Sequence, residues 1–261
     1  MAEMYSDAAA YDRYMGRWSR YLAPMFIEFA QVRDGDKVLD VGCGTGVLSQ
    51  AVAAVSRSSE ITGIDRSSSF VEYGRTHRAD ARIKFDVGNA LELPYPDATF
   101  DQCLSLLALN MIAQPEKAVS EMCRVTRPGG SVVACNWDRG GGMEMQSIFW
   151  EEAGKLDPSL EPRQRPYSLQ GQLKGLWEAT GLERVEETGL KIDLDFNSFE
   201  DYWLPLLGGV GPMGSYLTSL SPDHQQALRE QLRKMLLRNG PDAPFKLHAQ
   251  SWAVRGKVPQ P

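Results

Sequence analysis

The residues of this 261-residue chain best suited to chemistry lie in one glycine-rich run, Asp40-Val41-Gly42-Cys43-Gly44-Thr45-Gly46. Glycines at this spacing let the backbone turn sharply and let a ligand approach it with no Cβ in between. An acid, Asp65, closes the next β-branched run. A carboxylate there can accept hydrogen bonds from both hydroxyls of a ribose, so the ligand implied is a nucleoside derivative. Further detail narrows the choice. The dinucleotide pattern G-x-G-x-x-G wants its third glycine where Val47 stands. Asp40, just ahead of the first glycine, would repel a pyrophosphate and suits a ligand that presents an ammonium group and no phosphate.

Such a run needs a strand to enter it and a helix to leave it. Apolar periodicity predicts strands over 37–41, 60–65, 82–87, 100–107 and 131–137, with helices over 47–55, 68–78 and 115–126 between them. That alternation marks βαβ units and a parallel sheet. The third helix has Pro115 at its favoured first position, an apolar face of Ala118, Val119, Met122 and Val125, and a stop at Pro128-Gly129-Gly130. After Trp137 the pattern loosens into an excursion reaching about residue 166, linked by glycines 140–142 and punctuated by Pro158, Pro162 and Pro166. A helix over 169–180, a strand over 184–194 and a final strand over 246–255 follow. Short helices fill the gap between those last strands. The clearest starts at Ser221-Pro222-Asp223 and shows Leu228, Leu232, Met235 and Leu236 on one face.

The fold expected is α/β, a Rossmann-like seven-stranded, mostly parallel sheet with helices on both faces, an antiparallel last strand and helical cap insertions. Residues 1–36 form an N-terminal helical cover. The core takes 37–139, 167–196 and 245–257, and cap insertions take 140–166 and 197–244. The insertions would cover the carboxyl ends of the strands, where ligands bind in open α/β sheets.

Composition excludes several classes. A formal charge of −6 disfavours a surface that holds nucleic acid by neutralising phosphates. No apolar stretch approaches the roughly 18 residues of a membrane helix, and the first residues lack the apolar core of a signal peptide, so a cytoplasmic protein is expected. The four cysteines, Cys43, Cys103, Cys123 and Cys135, make no C-x-x-C pair and read as reduced thiols, with no metal site.

Four motifs in order, VLDVGCGTGVLS, GIDRS, DVGNALELPYPDATFD and CRVTRPGGSVV, make residues 8–137 resemble a class I S-adenosylmethionine-dependent methyltransferase of the ubiquinone/menaquinone-biosynthesis type. The resemblance implies S-adenosylmethionine as cofactor and S-adenosylhomocysteine as product. It places Asp40, Gly42, Cys43, Gly44 and Gly46 at the methionine end, Asp65 at the ribose, and Arg66, Asn89, Ala90 and Leu91 at the adenine. Leu106 completes the cofactor-binding set. The family usually has Asp where Asn89 stands, but an amide oxygen still accepts from the adenine amino group. The segment YDRYMGRWSR resembles the family's N-terminal cover, which puts Tyr14 or Arg17 near the cofactor carboxylate or over the methyl group.

The acceptor implied is a small, partly apolar molecule. Enzymes that methylate exocyclic amino groups of bases resemble one another in an Asn/Asp-Pro-Pro-aromatic sequence, absent from Ser105-Leu106-Leu107-Ala108-Leu109-Asn110. Transfer from a sulfonium is an in-line displacement, so no catalytic side chain need stand out, and none is assigned. Several residues carry two readings. Asn89 also suits an Asx-turn, and His224 suits either a general base or a helix start. Trp137, Trp150, Tyr202, Trp203, Met213 and Tyr216 suit either a pocket wall or the core of the cap. A nicotinamide-dependent oxidoreductase and a non-catalytic cofactor-binding module are the alternatives to a methyltransferase, and a homodimer is left open.

Overall fold

The structure, a computed structural model, describes residues 7–160 and 165–260. Residues 1–6 of the expected cover and Pro162 of the expected excursion lie outside the described residues. Seven strands form one sheet: β1 (Lys37–Val41), β2 (Glu60–Asp65), β3 (Ile83–Val87), β4 (Phe100–Leu106), β5 (Thr126–Trp137), β6 (Glu183–Phe196) and β7 (Phe245–Lys257). Their order is β3-β2-β1-β4-β5-β7-β6, and only β7 runs antiparallel to its neighbours. The order turns back on itself between β1 and β4, which opens a crevice outside their carboxyl ends.

The central strands are apolar on both faces because both faces are covered. On one face Val38, Leu104, Val133 and Cys135 pack with Trp18, Leu22 and Phe26 of α2 (Arg17–Ala30) and with Leu48 and Val52 of α3 (Val47–Val55). Before α2 stand a short helix, α1 (Ala8–Tyr11), and a π-helical turn, Asp12–Gly16. Beyond β2 runs α4 (Ser68–His77). On the other face Leu39, Cys103, Val132 and Ala134 pack with Val119 and Met122 of α5 (Pro115–Val125). Helix α7 (Gln172–Ala179) adds Leu173 and a fully buried Trp177, whose Nε1 donates to the Val132 carbonyl at 2.9 Å.

Two segments differ from the sequence expectation. Residues 144–156 of the loosely patterned excursion form a regular helix, α6 (Glu144–Leu156), which buries Met145, Phe149 and Ala153 at helical spacing. Strand β5 starts at Thr126, through the Pro128-Gly129-Gly130 run read as a helix stop. The register jumps from Phe100↔Thr126 to Gln102↔Ser131, a wide bulge. A Cβ on Gly130 would stand 2.6 Å from the Asp101 carbonyl, so the bulge needs glycine.

Strands β6 and β7 outrun the sheet. Pairing of β5 with β7 ends at Trp137↔Ser251, whereas β6 and β7 continue from Lys191↔Gln250 to Phe196↔Phe245. At the end of this ribbon sit α8 (Phe199–Trp203), a 3-10 turn (Leu204–Gly208), α9 (Gly211–Ser219) and α10 (Pro222–Leu236). Ser221 caps α10 by accepting from the His224 amide.

Candidate functional site

The glycine run closes β1 and opens α3 in the way the sequence predicts, and its shape depends on glycine. Gly42, Gly44 and Gly46 have φ of 73°, 52° and 77°, the left-handed region that L-residues with side chains disfavour. Space demands glycine as well. A Cβ on Gly42 would lie 2.4 Å from the Ala108 Cβ, and one on Gly46 would lie 2.6 Å from the Phe85 ring. The Gly42 and Cys43 amides both donate to the Ile64 carbonyl, at 2.8 and 3.1 Å, which ties the turn to the end of β2.

Asp40 stands beneath this turn and is almost fully buried. Its Oδ2 accepts from the Ser49 amide at 3.1 Å and the Ser49 hydroxyl at 2.7 Å. Ser49 lies in the first turn of α3, whose N-cap Gly46 offers no side chain, so Asp40 serves as a remote cap for that helix. Its Oδ1 is buried with no hydrogen-bond partner. Burial pushes the Asp40 carboxyl up to about 7, against the pull of the Ser49 bonds and with help from the charge of Asp65. A buried carboxylate oxygen that meets no donor marks a place for a cationic one.

Asp65 ends β2 beside the turn. Its Oδ2 accepts from the Gly44 amide at 3.0 Å and its Oδ1 from the Ser67 amide at 2.8 Å. Burial raises its pKa, opposed by these two bonds and by the Arg66 charge. Each oxygen keeps a lone pair for a further donor. Arg66 is exposed next to it. Beyond β3, Asn89 forms the Asx-turn, its Oδ1 accepting from the Leu91 amide at 3.0 Å, so its Nδ2 group is the more available side. Ala90 and Leu91 are half-buried on this turn.

Leu106 ends β4, and Leu107 after it has a φ of 62°, an unusual conformation for a leucine. Strained backbone of this kind gathers at functional sites, and this one sets Ala108 against Gly42. Cys43 is buried, and its thiol is pushed well above its usual value, first by burial and then by the Asp40 and Asp65 charges. That leaves it no thiolate character. No cluster of metal ligands occurs among the described residues.

The N-terminal residues Tyr14 and Arg17 have partners in the later helices. Tyr14 is buried, and its hydroxyl donates to the Met213 sulfur at 3.3 Å. Arg17 pairs bidentately with Asp201 of α8 at 2.7 and 3.1 Å, donates to the Asp195 carbonyl and stacks 4.4 Å from the Trp18 ring. Its guanidinium is thus committed to the cap. Within this segment Asp12 reaches the glycine turn, its Oδ1 accepting from the Thr45 hydroxyl at 3.1 Å. Apolar periodicity gave no signal for it.

Tyr202, Trp203 and Met213 are buried in the cap core, and Trp150 and Tyr216 pack on one another 5.4 Å apart. The first three belong to the same apolar cluster as Val38, Leu104 and Val133 of the sheet. Trp137 differs, because its indole Nε1 is buried without a partner at the end of β5. His224 is exposed at the start of α10, with Nδ1 on the Ser221 hydroxyl, which is the helix-start reading.

Residues 32–173 match the family model described as a methyltransferase domain. A demethylmenaquinone methyltransferase of Symbiobacterium thermophilum is 36% identical over 123 residues, covering 45% of this chain and 49% of that one. The chain spans about half the length of the curated relatives it matches. Among solved structures, the YcgJ protein of Bacillus subtilis superposes with a TM-score of 0.60 at 20% identity, covering 92% of this chain and 99% of that one. A phosphoethanolamine N-methyltransferase of Haemonchus contortus, in complex with S-adenosylhomocysteine, superposes with a TM-score of 0.58 at 20% identity, covering 97% and 57%.

Proposed function

The chain belongs to the methyltransferase-domain family, and from that premise we propose that it transfers a methyl group from S-adenosylmethionine to a small, partly apolar acceptor. The single observation that carries the cofactor choice is the buried, unpartnered Oδ1 of Asp40 beneath a turn that admits no Cβ. It fits the ammonium of the methionine end, which would supply the missing donor. Asp65 fits the ribose hydroxyls with the lone pairs left by Gly44 and Ser67. The Asn89 side chain with Ala90 and Leu91 fits the adenine, and Leu106 with the strained Leu107 closes the crevice. Tyr14 and Arg17 join the cover to the cap through Met213 and Asp201.

When bound, S-adenosylmethionine supplies an electrophilic methyl carbon on a sulfonium. The chain's own part is to hold the cofactor by Asp40 and Asp65, to orient the acceptor in line, and to keep water out with the cover and cap. A base is needed only for an acceptor that must lose a proton. The part of the chain beyond residue 173, where most of the cap lies, falls outside the family match, so the acceptor is not carried over from the relatives. Their name makes a ring-bearing apolar acceptor the class to test first. The acidic balance and the apolar cap disfavour nucleic acid, and among the described residues no helix is long and apolar enough to cross a membrane. We place the protein in the cytoplasm on the same reading.

The test is calorimetric binding of S-adenosylhomocysteine, followed by transfer of labelled methyl to a panel that includes quinols, phenols and amines. Binding with one methylated product is expected. Stabilisation by NAD with no response to S-adenosylhomocysteine would overturn the reading.

A further inference from the structure

Asp12 gathers more polar partners than any packing role requires. Its side chain is 12% exposed, inside the π-helical turn Asp12–Gly16 that joins α1 to α2. Turns of this type within helices occur often at functional sites. Oδ1 accepts from Thr45 Oγ1 at 3.1 Å, Arg78 Nη2 at 2.8 Å and Arg20 Nη1 at 3.1 Å. Oδ2 accepts from Arg20 Nη1 at 3.0 Å and from the Tyr73 hydroxyl at 3.3 Å. Arg78 closes the ring by donating its Nε to the Thr45 carbonyl at 3.1 Å.

Thr45 lies between Gly44 and Gly46 of the cofactor turn, so this clasp joins that turn to the N-terminal cover, to α2 and to α4. The cover already has apolar anchors in Ala8, Ala10, Tyr14 and Met15, all buried. A poorly exposed ion pair adds little to stability over such anchors, and what it does add is a defined position. Gly16 supports this view. Its φ of −58° suits any residue, yet a Cβ there would stand 2.6 Å from Asp12 Oδ1. The absence of a side chain at Gly16 leaves room for the carboxylate.

We propose that Asp12 is a positioning residue for the cofactor: it clasps the cover to the glycine turn through Thr45 and Arg78, and the clasp must open for product to leave. The proposal rests on the cofactor reading of the turn. With the clasp cut, the turn is less well held and the cover opens more often. S-adenosylhomocysteine then dissociates faster, while methyl transfer in the closed state is unaltered.

The experiment measures S-adenosylhomocysteine dissociation by surface plasmon resonance, alongside KM and kcat for methyl transfer, in Asp12→Asn, Thr45→Val, Thr45→Ser and Gly16→Ala. Asp12→Asn, Thr45→Val and Gly16→Ala are expected to raise the dissociation rate and the cofactor KM about tenfold with kcat retained. Thr45→Ser, which keeps the hydroxyl, is expected to match wild type. Asp80→Asn, which breaks the separate Arg82–Asp80 ion pair at 2.7 Å, is the control and should change neither. A merely structural role would lower the melting temperature and kcat with KM and dissociation rate unchanged, and that result overturns the proposal. If Asp12→Asn does not fold, Thr45→Val and Gly16→Ala decide. Wild type that binds no S-adenosylhomocysteine defeats the cofactor reading instead, whereas wild type that binds and variants that match it defeat the clasp alone.

Discussion

Replacing Asp40 by Asn should make the empty protein more stable and the cofactor complex weaker. The amide oxygen can keep both bonds from Ser49, while an NH2 group replaces the unpartnered oxygen. In the native protein burial holds the Asp40 carboxyl at about 7, against 3.8 for an aspartate free in water. Since the folded pKa is the higher, the native state keeps its proton longer than the unfolded chain. Stability therefore falls as pH rises from about 4 to about 7, and the penalty is complete above that. Three pKa units correspond to an upper limit of about 4 kcal/mol. At pH 8 Asp40→Asn should melt several degrees higher than wild type, at roughly 2–4 °C per kcal/mol for a chain of this size. The gap should narrow to about 1–2 kcal/mol at pH 5 and close only below about pH 4, where Asp40 is protonated in the native state and largely so in the unfolded chain.

Binding should move the opposite way. An ammonium needs the ionised carboxylate, so wild-type affinity for S-adenosylhomocysteine should rise about tenfold per pH unit below 7 and level off above it. Loss of a charge-assisted bond worth about 1.5–3 kcal/mol should cost Asp40→Asn roughly 10- to 150-fold at pH 8. Its pH profile should reflect the ligand's own titration alone. Isothermal titration calorimetry from pH 5.5 to 8.5 measures both curves. Equal affinities at pH 8, or parallel pH profiles, would refute the assignment of Asp40 to the ammonium.

Three further outcomes are expected. Asp65→Ala should weaken S-adenosylhomocysteine binding at least tenfold by calorimetry with a circular dichroism spectrum like wild type, because the ribose bonds are charge-assisted. Gly42→Ala should lower the melting temperature and abolish binding, since its φ of 73° and the 2.4 Å approach to Ala108 both resist a side chain. Trp177→Ala should cost about 3–5 kcal/mol in urea unfolding through loss of buried volume and of the indole's hydrogen bond to the Val132 carbonyl.

The core was legible because its rules are local. The alternation of β-branched runs with amphipathic helices fixes β1 to β5, and the left-handed conformations of Gly42, Gly44 and Gly46 require the residue type that the sequence displays. Helix α6 was missed because glycines 140–142 and Pro158 punctuate its flanks, although Met145, Phe149 and Ala153 keep helical spacing. Side-chain commitments were less legible still. Arg17 is a basic residue in a cover segment by sequence, but Asp201, its partner, lies 184 positions away. Asp12 finds Thr45 and Arg78 at separations of 33 and 66, with no periodicity to announce the meeting. Pairing at such range is decided by how whole elements dock.

The overhang of β6 and β7 beyond Trp137 gives the molecule an architecture of two trades. Six residue pairs, from Lys191↔Gln250 to Phe196↔Phe245, carry a cantilever about 20 Å past the edge of the sheet. The helices that would meet an acceptor hang from that arm, while the donor turn is built into the trunk. On the reading proposed above, residues 197–244 would face the acceptor, and they reach the glycine turn by way of the cover, through Tyr14–Met213, Arg17–Asp201 and Asp12–Thr45.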